Sequence, residues 1–207
     1  MPTAIQNIIK KGNNQVRTIR WNRNFIIWLV IAYIGILPKL LFAQDFVEPN
    51  TFSFGGWAGY GSVDMSKDIS TDSPQSAFAL GFRAGYSISS KAIVGLELNG
   101  WTLKAYDIWD PSKGESISNI SIFVNYFPAN DVPIYLTGGA GQTSYTNNSP
   151  TVSGRENGGS WFVGSGYEYP ITKQTKLVPQ IRYSQGSFGN GSYHVYELTL
   201  GLNWYAK

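Results

Sequence analysis

The residues able to do chemistry are few. The chain holds one histidine, His194, and no cysteine. A histidine triad needs a nucleophile and an orienting acid within reach, and Ser192 and Glu197 supply those residue types close by in sequence. No spacing marks them as a set, so His194 is expected to be an exposed loop-edge residue, and no catalytic residue is assigned. Without cysteine, neither a disulfide framework nor a cysteine–zinc site can form. Acids gather at Asp64, Asp68 and Asp72 and at Asp107, Asp110 and Glu115, but they match no EF-hand loop. No metal site or cofactor is read from them; they are either solvated or available to divalent cations. The run GGAG at 138–141 lacks the lysine, hydroxyl residue and helix that follow in a phosphate loop. Within a strand it allows close packing instead. That leaves a second kind of charge: Arg83, Glu97, Glu168, Arg182 and Glu197, each set inside an alternating, otherwise apolar segment.

The elements carrying these charges are strands. Charged residues make up 14% of the chain, against the usual quarter, while aromatics reach 15% and glycines number 23. Beyond residue 44 no helical period is sustained, and nearly every segment alternates with period two. Eight such runs lie at about 51–65, 76–88, 91–104, 115–127, 132–145, 159–170, 175–186 and 193–205. In the last, Tyr196, Leu198, Leu200, Leu202 and Trp204 share one face and Glu197, Thr199, Gly201 and Asn203 the other. In the second, Phe78, Leu80, Phe82, Ala84, Tyr86 and Ile88 oppose Ala79, Gly81, Arg83 and Gly85. The fourth alternates with Phe123 as its misfit, and Pro179 interrupts the seventh. The connections alternate too. Longer or more polar ones fall near 66–75, 105–114, 146–158 and 187–192; tight ones fall at 89–91, 128–131 and 171–174.

Two barrels fit this pattern. A soluble one turns its apolar face inward around a ligand; a membrane one turns it out to lipid. The apolar faces here end in Tyr86, Tyr126, Trp161, Tyr167 and Trp204, rings that prefer a membrane interface. The opposite faces are rich in glycine and carry the mid-strand charges, which suits a narrow polar interior. The expectation is therefore an all-β, eight-stranded, antiparallel up-and-down transmembrane β-barrel. A hairpin centred near residue 90 sets Arg83 opposite Glu97, and one centred between 189 and 190 sets Arg182 opposite Glu197. An ion in a narrow lumen loses hydration and needs a partner of opposite sign, so these pairs are expected to plug the lumen.

Residues 1–43 carry six basic residues and no acid; from Gln44 onward there are 10 basic and 13 acidic residues. The net charge of +3 thus belongs to the leader, and the remainder offers no electrostatic case for nucleic acid. Basic residues, the apolar run Phe25 to Leu37 and the small residue Ala43 follow the order of a secretory signal. The expected division is a signal peptide over 1–43, cleaved after Ala43, and a barrel domain over 44–207.

AFALGFRAGYSI at 77–88, SWFVGSGYEYPIT at 160–172 and YELTLGLNWYAK at 196–207, with the strand count and connection pattern, resemble the OmpA/OmpX-like outer-membrane β-barrel family, barrel domain only. The resemblance implies a bacterial outer-membrane location. It also implies contact with outer-membrane lipid and lipopolysaccharide, and insertion by the barrel-assembly machinery acting on the last strand. Here Ala206 and Lys207 follow the final aromatic pair, an extension that the family usually lacks. The tight His-x-Ser-Asn pattern of lipid A deacylases is missing from RYSQGSFGNGSYH at 182–194. The function expected is a structural or interaction barrel with a filled polar lumen, acting through its external loops on a surface or envelope protein partner. Trp101, Tyr106, Trp109, Tyr145 and Phe188, at or near loop bases, are its adhesive or girdle candidates. A small-solute pore and a lipid A-modifying enzyme are the alternatives.

Overall fold

The computed structural model describes residues 48–66, 74–105, 114–129, 132–148, 153–189 and 191–206, all within the compact unit Ala43–Lys207. The leader and its cleavage point, Asp68, Asp72, Asp107, Asp110, Tyr106 and Trp109 lie outside the described residues.

The strands are β1 (Phe52–Met65), β2 (Gln75–Ser89), β3 (Ala92–Ala105), β4 (Gly114–Tyr126), β5 (Ile134–Asn148), β6 (Ser153–Tyr167), β7 (Tyr169–Pro170), β8 (Thr175–Phe188) and β9 (Gly191–Ala206). β6 and β7 are two pieces of one stave, so nine segments make eight staves. Each stave pairs antiparallel with its chain neighbour, and β1 pairs with β9, which closes the sheet into a barrel. The end bearing the β1–β2, β3–β4, β5–β6 and β8–β9 connections is here the loop end; the opposite end is the turn end.

The register fixes the barrel's dimensions. From Ser165 on β6 the pairing steps through Ile181, Leu198, Tyr60, Phe78, Thr102, Ser116 and Thr146, and returns to β6 at Arg155, ten residues away. With a rise of ~3.3 Å per residue and strands ~4.8 Å apart, that stagger over eight staves tilts the strands by roughly 40°. Such a barrel has a narrow interior that side chains largely fill.

The faces are inverted relative to a soluble protein. Leu80, Ile88, Leu96, Ile122 and Ile181 are each more than half exposed, whereas Arg83 is 4% exposed and Glu97 0%. Two bands of rings edge the apolar belt. Tyr60, Phe78, Trp161, Tyr183 and Tyr196 lie toward the loop end, with ring contacts Tyr60–Phe78 at 5.8 Å and Tyr183–Tyr196 at 5.0 Å. Phe52, Phe54, Tyr86, Tyr126 and Trp204 lie toward the turn end, with Phe52–Tyr86 at 5.0 Å. Tyr86, Tyr126, Trp161 and Trp204 are thus on the exposed face as expected. Tyr167 is not; it is buried. It sits where Gly166, Tyr167 and Glu168 are buried in succession, so the alternation fails. The β6–β8 ladder stops at Gly166↔Gln180 and resumes at Tyr169↔Leu177. Pro179 lies across this gap and has no N–H to donate, yet β8 runs through it on its other side, against Leu200 of β9.

Two connections differ from expectation. β5 and β6 run on as a hairpin to Asn148↔Ser153, and β8 and β9 to Phe188↔Gly191, so the third and fourth loop-end connections shrink to 149–152 and 189–190. Polar, glycine-bearing sequence reads as loop when its only partner is the adjacent strand.

The interior is filled by rings laid over glycines. Trp57 faces Gly81, Tyr135 faces Gly166, Phe162 faces Gly139 and Tyr193 faces Gly186, each a direct cross-strand pair. A Cβ on Gly81 would lie 2.1 Å from Trp57 Cζ2, one on Gly166 2.4 Å from Tyr135 Cζ and one on Gly186 2.5 Å from Tyr193 Cε1. Only hydrogen fits under each ring, the arrangement by which an aromatic neighbour compensates a glycine in a strand. Gly81→Ala is therefore expected to destabilise the folded barrel by about 1–3 kcal/mol, the range for overpacking. Gly159→Ala, where nothing lies within 4 Å, should stay within about 0.5 kcal/mol of the parent. Urea unfolding in detergent micelles checks both; equal loss in the two variants would refute the ring-over-glycine account.

Candidate functional site

The inward faces of β2, β3, β8 and β9 bring four of the expected charges together. Arg83 is opposite Glu97 and Arg182 opposite Glu197, as the hairpin centres require. Arg83 Nη2 lies 3.5 Å from Glu97 Oε2, and Arg182 Nε lies 2.6 Å from Glu197 Oε1. The two pairs are also joined: Arg182 Nη1 donates to Glu97 Oε1 across the lumen. Trp57 stands between the two guanidinium groups, its ring centre 4.4 Å from Arg83 Cζ and 5.7 Å from Arg182 Cζ. Phe162 covers Arg182 at 4.4 Å and Phe123 covers Arg83 at 5.3 Å. Phe123, the misfit of its alternating run, is inward and fully buried; it is an arginine's neighbour. Arg83 Nη2 also donates to Gln180 Oε1 at 2.8 Å, which accepts from Tyr135 Oη at 3.2 Å.

Glu168 does not join this layer. It lies nearer the turn end with Lys176 Nζ at 3.5 Å, and accepts from Asn203 Nδ2 at 2.9 Å and from Tyr205 Oη. Lys176, which the sequence reading missed, balances Glu168: below the loop-end cluster Arg83, Arg182 and Lys176 face Glu97, Glu168 and Glu197. Its signal was its parity, since it falls on the same face of β8 as Arg182.

Toward the loop end the lumen turns apolar. Val63, Met65, Ala77, Ala79, Trp101, Ile117, Tyr145, Phe188, Tyr193 and Val195 pack as one buried cluster. Tyr145 stacks on Phe188 with centroids 4.9 Å apart, and Phe188 on Tyr193 at 5.5 Å. Trp101, Tyr145 and Phe188 are thus neither adhesive nor girdle residues; their positions point them inward, where they roof the lumen. The roof is tied to the layer below: Trp101 Nε1 donates to Glu197 Oε2 at 2.6 Å, and Tyr193 Oη donates to Asn119 Oδ1 at 3.0 Å. A second cluster of Ile93, Phe123, Phe127, Tyr135, Phe162, Val178 and Tyr205 fills much of the turn-end half.

The triad reading fails on geometry. His194 and Glu197 lie on opposite faces of β9, where Glu197 bonds Arg182 and Trp101. His194 Nδ1 is instead 2.7 Å from Tyr183 Oη, and Asp64 and Gln185 are its cross-strand partners. Of the loop acids among the described residues, Asp64 is exposed, while Glu115 is buried and accepts from Tyr145 Oη at 2.6 Å.

The network makes Glu97 the shared partner of two arginines. Glu97→Gln leaves both under-compensated in a narrow, buried site, so the barrel is expected to lose about 3–5 kcal/mol, the usual cost of breaking a buried pair. In a double-mutant cycle with Arg83→Met, the second substitution should cost less in the Glu97→Gln background than alone. Additive losses by urea unfolding would show that the pair does not interact.

No curated protein matches the chain. Among solved structures, Neisserial surface protein A aligns over 74% of this chain and 96% of its own, with a TM-score of 0.53 and 18% identity. A major outer membrane protein from Thermus thermophilus covers 76% of this chain and 100% of its own, with a TM-score of 0.46 and 16% identity. The N-terminal β-barrel domain of Pseudomonas aeruginosa OprF covers 76% and 98%, with a TM-score of 0.45 and 15% identity. A family model described as outer membrane protein beta-barrel domain matches residues 40–205. That match takes in the whole barrel but for Ala206, the last residue of β9, and the chain belongs to the outer membrane protein β-barrel domain family.

Proposed function

We propose that this chain is an exported envelope barrel that conducts no solute and acts through the surface its loop end presents. Family membership implies the bacterial outer membrane, and the two bands of rings suit seating in its lipid. The observation that carries the reading is the filled lumen. Arg83, Arg182, Glu97 and Glu197 share its middle with Trp57, a packed apolar cluster lies toward the loop end, and toward the turn end a second cluster is interleaved with Lys176 and Glu168. Val63, Glu97, Ile117, Phe123, Glu168 and Tyr193, spread along the lumen, are each 0% exposed. A barrel closed in this way offers a partner its loop-end edges and connections, including the β5–β6 hairpin, where Arg155 and Glu156 are exposed.

Purified, refolded barrel in planar lipid bilayers is therefore expected to give no steps of conductance above the lipid baseline. Reproducible unitary steps would replace this reading with the small-solute pore. The leader belongs to the same proposal: the chain recovered from outer-membrane fractions should begin at Gln44, by N-terminal sequencing or intact mass. Recovery with residues 1–43 attached would overturn the export signal.

A further inference from the structure

We infer that the barrier to permeation is the apolar roof at the loop end, and that the ion-pair layer beneath it is a hydrated polar compartment rather than the seal. This rests on the closed-lumen reading above and assigns the closure to particular residues.

The polar compartment is rich in buried atoms that still need partners. Arg83 Nε and Nη1, Gln180 Nε2, Thr199 Oγ1, Arg182 Nη2 and Ser184 Oγ make no hydrogen bond among the described residues. Nearer the turn end the same holds for the acceptor Asn125 Oδ1 and the hydroxyls of Thr137 and Ser87. A buried polar group without a partner costs free energy, and bound water is the usual remedy. Donors and acceptors are mixed, and the charges are balanced, three against three. That combination suits water, which both donates and accepts; it does not suit a bound ion, which would leave the compartment charged. The unpartnered atoms lie on β2, β4, β5, β8 and β9, from Ser87 near the turn end to Ser184 beneath the roof.

The roof is different. Val63, Ala77, Ile117, Phe188 and Val195 offer it no side-chain polar atom. The heteroatoms of Trp101 and Tyr193 are directed down, to Glu197 and to Asn119 and Thr143. Apart from Tyr145 Oη, which donates to the buried Glu115 carboxylate on the loop side, the roof therefore presents ring faces and aliphatic carbon to anything crossing it. An apolar constriction excludes ions by refusing them hydration, and it does so without a fixed charge. The ion-pair layer, by contrast, supplies both signs of charge and hydrogen bonds, so water and small ions meet partners there.

The test compares three folded barrels in planar bilayers, each first checked for the heat-modifiable gel shift of a folded barrel. The roof variant is Trp101→Ala/Tyr193→Ala. The layer variant is Arg182→Ser/Glu197→Ser, which removes one charge of each sign and leaves Arg83–Glu97 intact. The expected result is a silent parent, a silent layer variant and a roof variant conducting at least about tenfold above baseline, as when a dewetted constriction is opened. A conducting layer variant overturns the inference, and so does a silent roof variant; in both cases the closed-lumen reading survives if the parent is silent. A conducting parent overturns the closed-lumen reading itself. Should the double roof variant fail to fold, Phe188→Ala takes its place under the same criteria.

Discussion

Everything in this barrel follows from the demand that lipid makes on the backbone. In a hydrocarbon layer no water is present to bond an exposed N–H or C=O, so every peptide group in the belt must find a partner within the sheet. Closure of β1 on β9 meets that demand over fourteen residues, Phe52↔Ala206 to Met65↔Tyr193. The β6–β8 side meets it less completely. Its ladder is broken beside Pro179, and the chain compensates locally: the Glu168 amide donates to Pro133 O at 2.8 Å, toward β5 instead of β8. Tyr167 is buried beside the break in the ladder.

Closure with eight staves and a stagger of ten then dictates the inside. The lumen leaves little room for large side chains facing one another on neighbouring strands, and Trp57, Tyr135, Phe162 and Tyr193 each take a glycine as a cross-strand partner. The glycine content that marks the sequence is in part the complement of its internal aromatics. The same narrowness keeps the internal charges from a full hydration shell, and explains why they form an interlocked set with Glu97 between two arginines.

How much of this is legible in the sequence depends on the distance over which it is decided. Arg83–Glu97 and Arg182–Glu197 can be read because each belongs to one hairpin, whose centre fixes the register. Arg182–Glu97 spans 85 residues and crosses the lumen; no local rule brings it into view. Glu168–Lys176 is local, but Pro179 and the broken β6–β8 ladder obscure the register there. The roof was hidden for another reason. Trp101, Tyr145 and Phe188 sit where strands were expected to give way to loops, and a ring at a strand end is read as girdle unless its parity is followed one residue at a time. Continued along β3, the inward face of Glu97 and Asn99 leads to Trp101; continued along β9, that of Thr199 and Glu197 leads to Val195 and Tyr193.

A buried ion-pair layer asks why the lumen is not packed with leucine, because replacing such a set with apolar residues often leaves a protein as stable or more so. The answer lies in register. A one-residue slip of a strand sends every inward side chain to the lipid and every outward one into the lumen. In a barrel apolar on both faces, such a slip would meet only the differences in packing. Here it would place Arg83 or Arg182 against the hydrocarbon, at about 2–4 kcal/mol near the midplane. It would also drive Leu80 and Phe82, or Ile181 and Tyr183, toward space already held by rings lying over glycines. The charges and the glycines thus penalise the same error from opposite faces. On this argument the layer's main contribution is to select one register among neighbours, which also leaves the task of keeping solutes out to a different part of the lumen.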